Sequence, residues 1–293
     1  MLAELDKLGT IAAVARSLGL TAPGISMQLA ALERELGVKL TERQGRRVLV
    51  TPAGKVLSQH ARDIGGMLAV AEMEVTALGE GTAGSYTVAA FPTAARSYVA
   101  DAWKTLLADA QSGITLRLTE AEPTGSLAAL AAGEVELAVA HSYSNAPHLQ
   151  SAGLVAIPLA TEKVLLAVRD DDPSGDIVDL AAFSHRDWIL PHQEMACHEM
   201  VVRACGMAGF EPRSVAHATD FRVQLSLVRA GAGVALIPQL GATDVPDGVV
   251  LKQLKAPVLR HHFAVTRQSS AADAGLARVR QLVLNAAQAL FAG

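Results

Sequence analysis

Three groups of residues in this 293-residue chain have types and spacings suited to recognition chemistry. The first lies between Thr21 and Arg34. At about 100° per residue, Pro23, Ser26, Met27, Ala30 and Arg34 share one helix face, opposite a stripe of Ile25, Leu29, Leu32 and Leu36. Small side chains on such a face allow close approach to base edges and phosphates, and Ser26 and Gln28 can hydrogen-bond to them. The second group is Arg43, Arg46 and Arg47 around Gly45 in TERQGRR, cations at a turn that suit a phosphate backbone. The third is spread through the rest of the chain: Thr93 and Ala94, His141 and Ser142, Gln193 and Cys197, Asp220 and Phe221. They fall just after expected strands or at expected helix starts, where backbone N–H groups and hydroxyls can hold a small polar or carboxylated ligand.

The elements that must position these groups are legible from period and punctuation. Ile11, Ala15 and Leu18 give a supporting helix one apolar face, and Gly19 stops it. Thr21 is a good N-cap and Pro23 is tolerated in the first turn that follows. Residues 38–40 and 48–50 are β-prone and predict a hairpin wing with the arginines at its tip. Taken singly, the two helices also read as an αα-hairpin inside a core, and the arginine loop as a solvated charged turn. Thr51-Pro52 then opens a helix over residues 52–79 in which Leu57, Ala61, Ile64, Leu68, Ala71, Val75 and Leu78 are spaced as a and d positions of a coiled coil. Gly65-Gly66 weakens its middle by about 1 kcal/mol per Gly. A helix of about 27 residues spans about 40 Å, too long for one small domain to cover, so the seam predicts a dimer contact. GEGTAGS, residues 79–85, reads as a flexible linker.

The remainder alternates strand and helix. Strands are expected over 86–90, 114–118, 135–140, 163–168, 188–190, 214–218, 234–237 and 262–266, and helices over 94–110, 126–132, 197–208, 221–230 and 275–291. Continuous apolar strands alternating with helices predict a parallel sheet covered on both faces. The rhythm occurs twice and returns, giving two lobes: 84–160 with 267–293, and 161–266. That is the periplasmic-binding-protein-like arrangement, with a ligand in the cleft between lobes.

The stretch TAPGISMQLAALERELGVKLTERQGRRVLVTPAG resembles the signature of LysR-type transcriptional regulators. The resemblance implies an α/β protein with a winged helix-turn-helix over 1–54, a long dimerising linker helix over 52–79, and a two-lobed type 2 effector domain over 84–293. It places groove-facing positions on Thr21, Ala22, Pro23, Ser26, Met27 and Gln28, and wing arginines on Arg43, Arg46 and Arg47. It further implies double-stranded DNA, a small-molecule effector and a homodimer or homotetramer as partners. Two departures stand out: Met27 sits where the family often carries Arg or another polar residue, and only eight residues precede Gly9-Thr10.

Composition narrows the alternatives. Residues 1–65 hold nine Lys and Arg against six Asp and Glu, a net +3, whereas the rest holds 16 against 23, a net −7. The basic end is therefore the end expected on DNA. Two cysteines suit a reducing cytoplasm rather than a disulfide framework. Neither a signal-peptide pattern nor a run of apolar residues long enough for a membrane span is seen. His192, Cys197, His198 and Cys205 lack the spacing of a metal knuckle, Asp170-Asp171-Asp172 reads as a solvated turn, and there is no P-loop, GxSxG or dinucleotide fingerprint. No metal, cofactor or catalytic residue is expected. The competing functions are a solute-binding protein without DNA activity and an α/β enzyme using the cleft.

Overall fold

Leu5, Val14, Ile25 and Leu29 are almost wholly buried against one another, and the three helices that carry them are fixed by local caps. Helix α1 (Leu2–Leu8) is followed by α2 (Ile11–Leu18), whose N-cap Thr10 accepts the Ala13 N–H at 3.2 Å. Gly19, at φ 64°, ends α2 in the left-handed conformation that a Cβ disfavours. Helix α3 (Ala22–Leu36) opens on Thr21, whose hydroxyl accepts the Gly24 N–H at 3.2 Å. The hairpin β1 (Thr41–Gln44) and β2 (Arg47–Val50) then pairs Thr41 with Val50. Thr51 caps α4 (Pro52–Glu80) by accepting the Gly54 N–H at 3.1 Å. A Cβ on Gly54 would collide with the Leu40 carbonyl, so this glycine lets the long helix start against the wing.

The computed structural model describes residues 1–44, 47–80, 84–146 and 153–292, and of these the side chains of 43, 44, 47, 67 and 69–80 lie outside the description. Met1–Met73 form the body of one compact unit; Glu74–Leu130 with Val135–Gly293 form the other.

In the second unit an eight-stranded sheet runs in the order β4-β3-β5-β12-β6-β11-β7, with β10 also paired to β6. Its strands are β3 (Gly84–Ala90), β4 (Ile114–Glu120), β5 (Leu137–Tyr143), β6 (Leu154–Arg169), β7 (Ile177–Val178), β10 (Ala235–Pro238), β11 (Val249–Leu254) and β12 (Leu259–Arg267). A separate parallel pair joins β8 (Asp187–Leu190) and β9 (Arg213–His217). Helical turns follow β3 as α5 (Pro92–Ala94), a π-turn over Ala95–Val99 and α6 (Ala100–Ala108). The remaining helices are α7 (Pro123–Ala131), α8 (Ala196–Met207), α9 (Phe221–Arg229) and α10 (Ala274–Phe291). One lobe packs α6 and α10 over β3 and β5 around Tyr86, Tyr98 and Val139. The other packs α8 around Trp188, Met200 and Leu236, with α9 on Ile189 and Ile237.

Several expectations need correction. The sheet is mixed rather than parallel: β3 is parallel to β4 and β5, but β12 and β6 are antiparallel to their neighbours. The strand expected over 163–168 is the second half of one 16-residue strand, and β11 was not expected at all. Glu162 breaks the apolar run that would have joined the halves of β6. The two long strands β6 and β12 carry the chain between lobes, and a bulge where His262 faces Ala160 but Phe263 faces Pro158 bends them there. The single helix expected over 94–110 is interrupted at Ser97, whose φ of −115° and ψ of −110° are not helical. Ser97 donates to the Thr93 carbonyl at 2.6 Å, a side-chain bond competing with the helix ladder. In the wing, β1 starts at Thr41 rather than at 38, and Val38 is exposed.

Candidate functional site

The N-terminal site is built on α3. Ile25 and Leu29 are buried and Leu32 packs beside them, but Leu36 is exposed and does not complete the apolar stripe. Glu33 takes the buried place instead. Its Oε1 accepts the N–H groups of Leu40 and Thr41 at 3.0 and 2.9 Å and the Thr41 hydroxyl at 3.0 Å, while Oε2 accepts Lys39 Nζ at 2.8 Å. The Lys39 bond, with those from Thr41 and Leu40, outweighs burial and holds the carboxyl at about 2. One side chain thus ties the end of α3 to the start of the wing, and no apolar-period argument would find it.

Thr21, Pro23, Ser26, Met27, Gln28 and Arg34 are exposed, but Ala22, expected to face the groove, is half-buried and packs against the helical core. Met27 is 70% exposed. The Ser26 hydroxyl donates to the Ala22 carbonyl at 3.1 Å, and Arg34 Nε folds back to the Ala30 carbonyl at 3.3 Å. Arg46 lies outside the described residues, as do the side chains of Arg43 and Arg47.

Along α4, Ala61, Ile64 and Leu68 are exposed. Leu57 is a correction: it packs against the helical core of its own unit and is not part of an outward seam. Ala71, Val75 and Leu78 have side chains outside the description.

The second site is a cavity of about 450 Å³ between the lobes of the second unit. Thr93 from the turn after β3, His141 and Tyr143 from β5, Cys197 from α8, Asp220 and Phe221 from the start of α9, and Arg260 from β12 all line it. Six of these seven side chains are buried and Asp220 is exposed. Of the expected residues, Thr93, His141, Cys197, Asp220 and Phe221 do meet here. Ala94 does not: it points into the lobe core beside Tyr98. Ser142 and Gln193 line a smaller adjoining cavity that also reaches His141. Adjacent residues in a strand point to opposite faces, which is why His141 and Ser142 part company.

The floor of the cavity is a charged network absent from the sequence expectations. Arg260, 2% exposed, donates through Nε and Nη2 to Glu162 Oε1 at 2.5 Å and through Nη2 to the Thr93 hydroxyl at 3.0 Å. Glu162 also accepts His262 Nε2 at 2.7 Å and the Leu240 N–H at 2.5 Å. The Leu240 carbonyl in turn accepts Arg96 Nη2 at 3.0 Å. His262 Nδ1 lies 3.1 Å from the Tyr98 hydroxyl, so a neutral ring that donates from Nε2 and accepts at Nδ1 satisfies both neighbours. Burial opposes ionisation of Glu162, but the Arg260 charge and the His262 bond hold it below the usual carboxylate range. Burial, then the Arg260 charge, pushes His141 well below the usual imidazole value. The available signal was a charged residue inside each of two otherwise β-prone runs, Glu162 in LVAIPLATEKVLLAVR and Arg260 in LRHHFAVTR.

Such a site can bind and orient a small polar molecule. Cys197 and Cys205 are buried thiols pushed up to about 12 by loss of solvent, unlike reactive thiolates. His192 and His198 both lie beside the His217 ring, at 6.2 and 6.4 Å between centroids.

The same two parts appear in known proteins. Residues 1–55 match the bacterial regulatory helix-turn-helix protein, lysR family, and residues 79–288 match the LysR substrate binding domain. The HTH-type transcriptional regulator TdfR of Cupriavidus pinatubonensis is 30% identical over 289 residues, covering 89% of this chain and 93% of that one. The DNA-binding transcriptional dual regulator OxyR of Escherichia coli is 28% identical over 232 residues, 78% of this chain and 74% of its own. The solved OxyR C206 mutant of Corynebacterium glutamicum superposes with a TM-score of 0.61 at 26% identity, covering 99% of this chain and 92% of that one. This chain belongs to the LysR family and is a DNA-binding transcriptional regulator, not an enzyme, in which a helix-turn-helix precedes a two-lobed effector domain.

Proposed function

We propose that α3 enters the major groove of a dyad-related DNA site and reads it with Ser26, Met27 and Gln28, while Thr21, Ala22, Pro23 and Arg34 approach the backbone. Arg43, Arg46 and Arg47 of the wing follow the phosphates beside it. The observation that carries this reading is the division of α3 into a buried Ile25–Leu29–Glu33 side and an exposed face of small and polar residues. Exposure of Ile64 and Leu68 at 66% and 61% supports a partner helix along α4, in a homodimer or a tetramer of two such pairs. A small molecule held between the lobes changes the spacing of the two DNA-binding heads by favouring one lobe arrangement. We place the protein in the cytoplasm, where its DNA is; among the described residues no helix is long and apolar enough to cross a membrane.

Mobility shift on DNA from upstream of the protein's own gene, with excess random competitor, tests the reading. Retardation that survives competitor is expected. Equal competition by random DNA would remove the claim of specific recognition.

A further inference from the structure

The interlobe cavity contains polar atoms that the protein leaves without partners. Tyr143 Oη and His141 Nδ1 are buried without a hydrogen bond, in side chains 1% and about 3% exposed. Glu122 Oε2 is buried with none as well, with the His141 imidazole Nε2 3.5 Å away. All three residues line the cavity, and an unmet buried polar atom costs about 1–3 kcal/mol. Glu120 lines it too, two residues before Glu122, and no salt bridge among the described residues engages either carboxylate with Lys or Arg. The cations of the cavity are Arg260, balanced by Glu162, Arg222, balanced by Asp244 at 3.0 Å, and Arg96, whose Nη2 donates to the Leu240 carbonyl and which has no carboxylate partner among the described residues.

The donors and acceptors are therefore sorted in space. On the Thr93 side, the hydroxyl accepts from Arg260, so its own proton is free to be donated. The Arg260 bonds use Nε and Nη2, leaving Nη1 for Tyr143 or a ligand. This side offers N–H and O–H to an anion. On the Glu122 side the carboxylate can only accept and the Tyr143 hydroxyl can accept as well as donate; burial pushes the Glu122 carboxyl up, a cost that an incoming cation relieves. The Phe91 ring, with Arg260 Cζ 5.1 Å from its centroid and His141 edge-on at 4.6 Å, walls the space between.

We infer that the effector is a zwitterion, an amino acid or a close amino-acid analogue, whose carboxylate is held by Thr93 and Arg260 and whose ammonium is held by Glu122 with Tyr143. The inference rests on the proposal that the cleft is the effector site, and adds the charge pattern of its occupant. A plain carboxylic acid would leave Glu122 unpaired, and a plain amine would leave the Thr93 and Arg260 donors unused.

The test is calorimetric titration of the full-length protein with ω-amino acids from glycine to 5-aminopentanoate and with common α-amino acids. Beside each stand the carboxylic acid, the hydroxy acid and the amine of the same length. At least one zwitterion is expected to bind about tenfold or more tightly than its acid and amine counterparts. Glu122→Gln, which keeps shape and removes charge, is expected to weaken that zwitterion about tenfold while leaving the plain acid unaffected. Thr93→Val is expected to weaken both zwitterion and acid. Acids or hydroxy acids binding as well as the zwitterions, or no zwitterion binding by about 10 mM, overturns the inference. Mobility shift on the same preparation separates the two levels: specific DNA binding with no zwitterion bound means the ligand class is wrong and the regulator stands.

Discussion

Arg260 and Glu162 are register partners on two long strands that run between the lobes, β12 and β6, and their side chains meet at 2.5 Å with 2% and 0% exposure. A charge pair this deep is held by the bonds around it, from Thr93, His262 and Leu240, because desolvation alone would exceed the pair's attraction. The interlobe cavity and the inter-lobe crossing therefore share one network, so a molecule bound against Thr93 would be one hydrogen bond from the strands that join the lobes.

Removing one partner strands the other. Glu162→Gln is expected to lower stability of the effector domain by about 3–5 kcal/mol. A cycle with Glu162→Leu, Arg260→Leu and the double variant is expected to show the double as less damaged than the sum of the singles. Urea unfolding followed by Trp188 fluorescence measures this, and additive losses would show that the pair is not coupled.

Glu33 makes a separate prediction in the DNA-binding unit. Glu33→Ala is expected to cost about 2 kcal/mol, since the Leu40 and Thr41 N–H groups lose their acceptor. Because the folded carboxyl lies at about 2, below the ordinary 4.5 of a free glutamate, its contribution is present above about 4.5 and is lost as pH falls toward 2. Circular dichroism melts of wild type and Glu33→Ala should converge across that window. A constant gap would assign the loss to something other than the carboxylate.

Two buried imidazoles act at higher pH. His141 and His262 are both held below 6.5, burial being the largest cause in each. The unfolded chain takes up protons at these residues before the folded one does, so stability is full above about 6.5 and declines as pH falls below it. His141→Phe is expected to reduce the slope of Tm against pH between about 6.5 and 5. An unchanged slope would show that His141 does not titrate differently on unfolding.

The thiols should be inert. At about 12, Cys197 and Cys205 expose roughly one thiolate in ten thousand at pH 8. Native protein is expected to resist iodoacetamide until unfolded, and hydrogen peroxide is expected to leave DNA retardation unchanged. Rapid labelling of either cysteine in folded protein would contradict the burial described above.

On α3, the Ser26 hydrogen is already committed to the Ala22 carbonyl, so in the proposed contact its oxygen would meet DNA as an acceptor. Ser26→Ala is expected to lose about 1–3 kcal/mol on the specific site and little on random DNA, narrowing the ratio between them. Equal losses on both would make the contact a backbone one.

The sequence by itself determined the two-part organisation, because the signals involved are local. Caps at Thr10, Thr21 and Thr51, glycine stops and the 3.6-residue period of α2 and α3 depend on residues within a few positions of one another. The places of Thr93, Cys197, Asp220 and Phe221 at or near helix starts were legible for the same reason, whereas His141, expected just after a strand, lies inside β5. Only the tertiary structure decided which of them face one another. Glu162 and Arg260 are 98 residues apart and meet through strand register alone, and Arg260 reaches Thr93 across 167. Glu33 likewise faces inward because its acceptors satisfy a turn that begins seven residues later. A buried charge is tolerated only where its partners converge, and that convergence is a property of the packed chain, which spacing along the sequence does not carry.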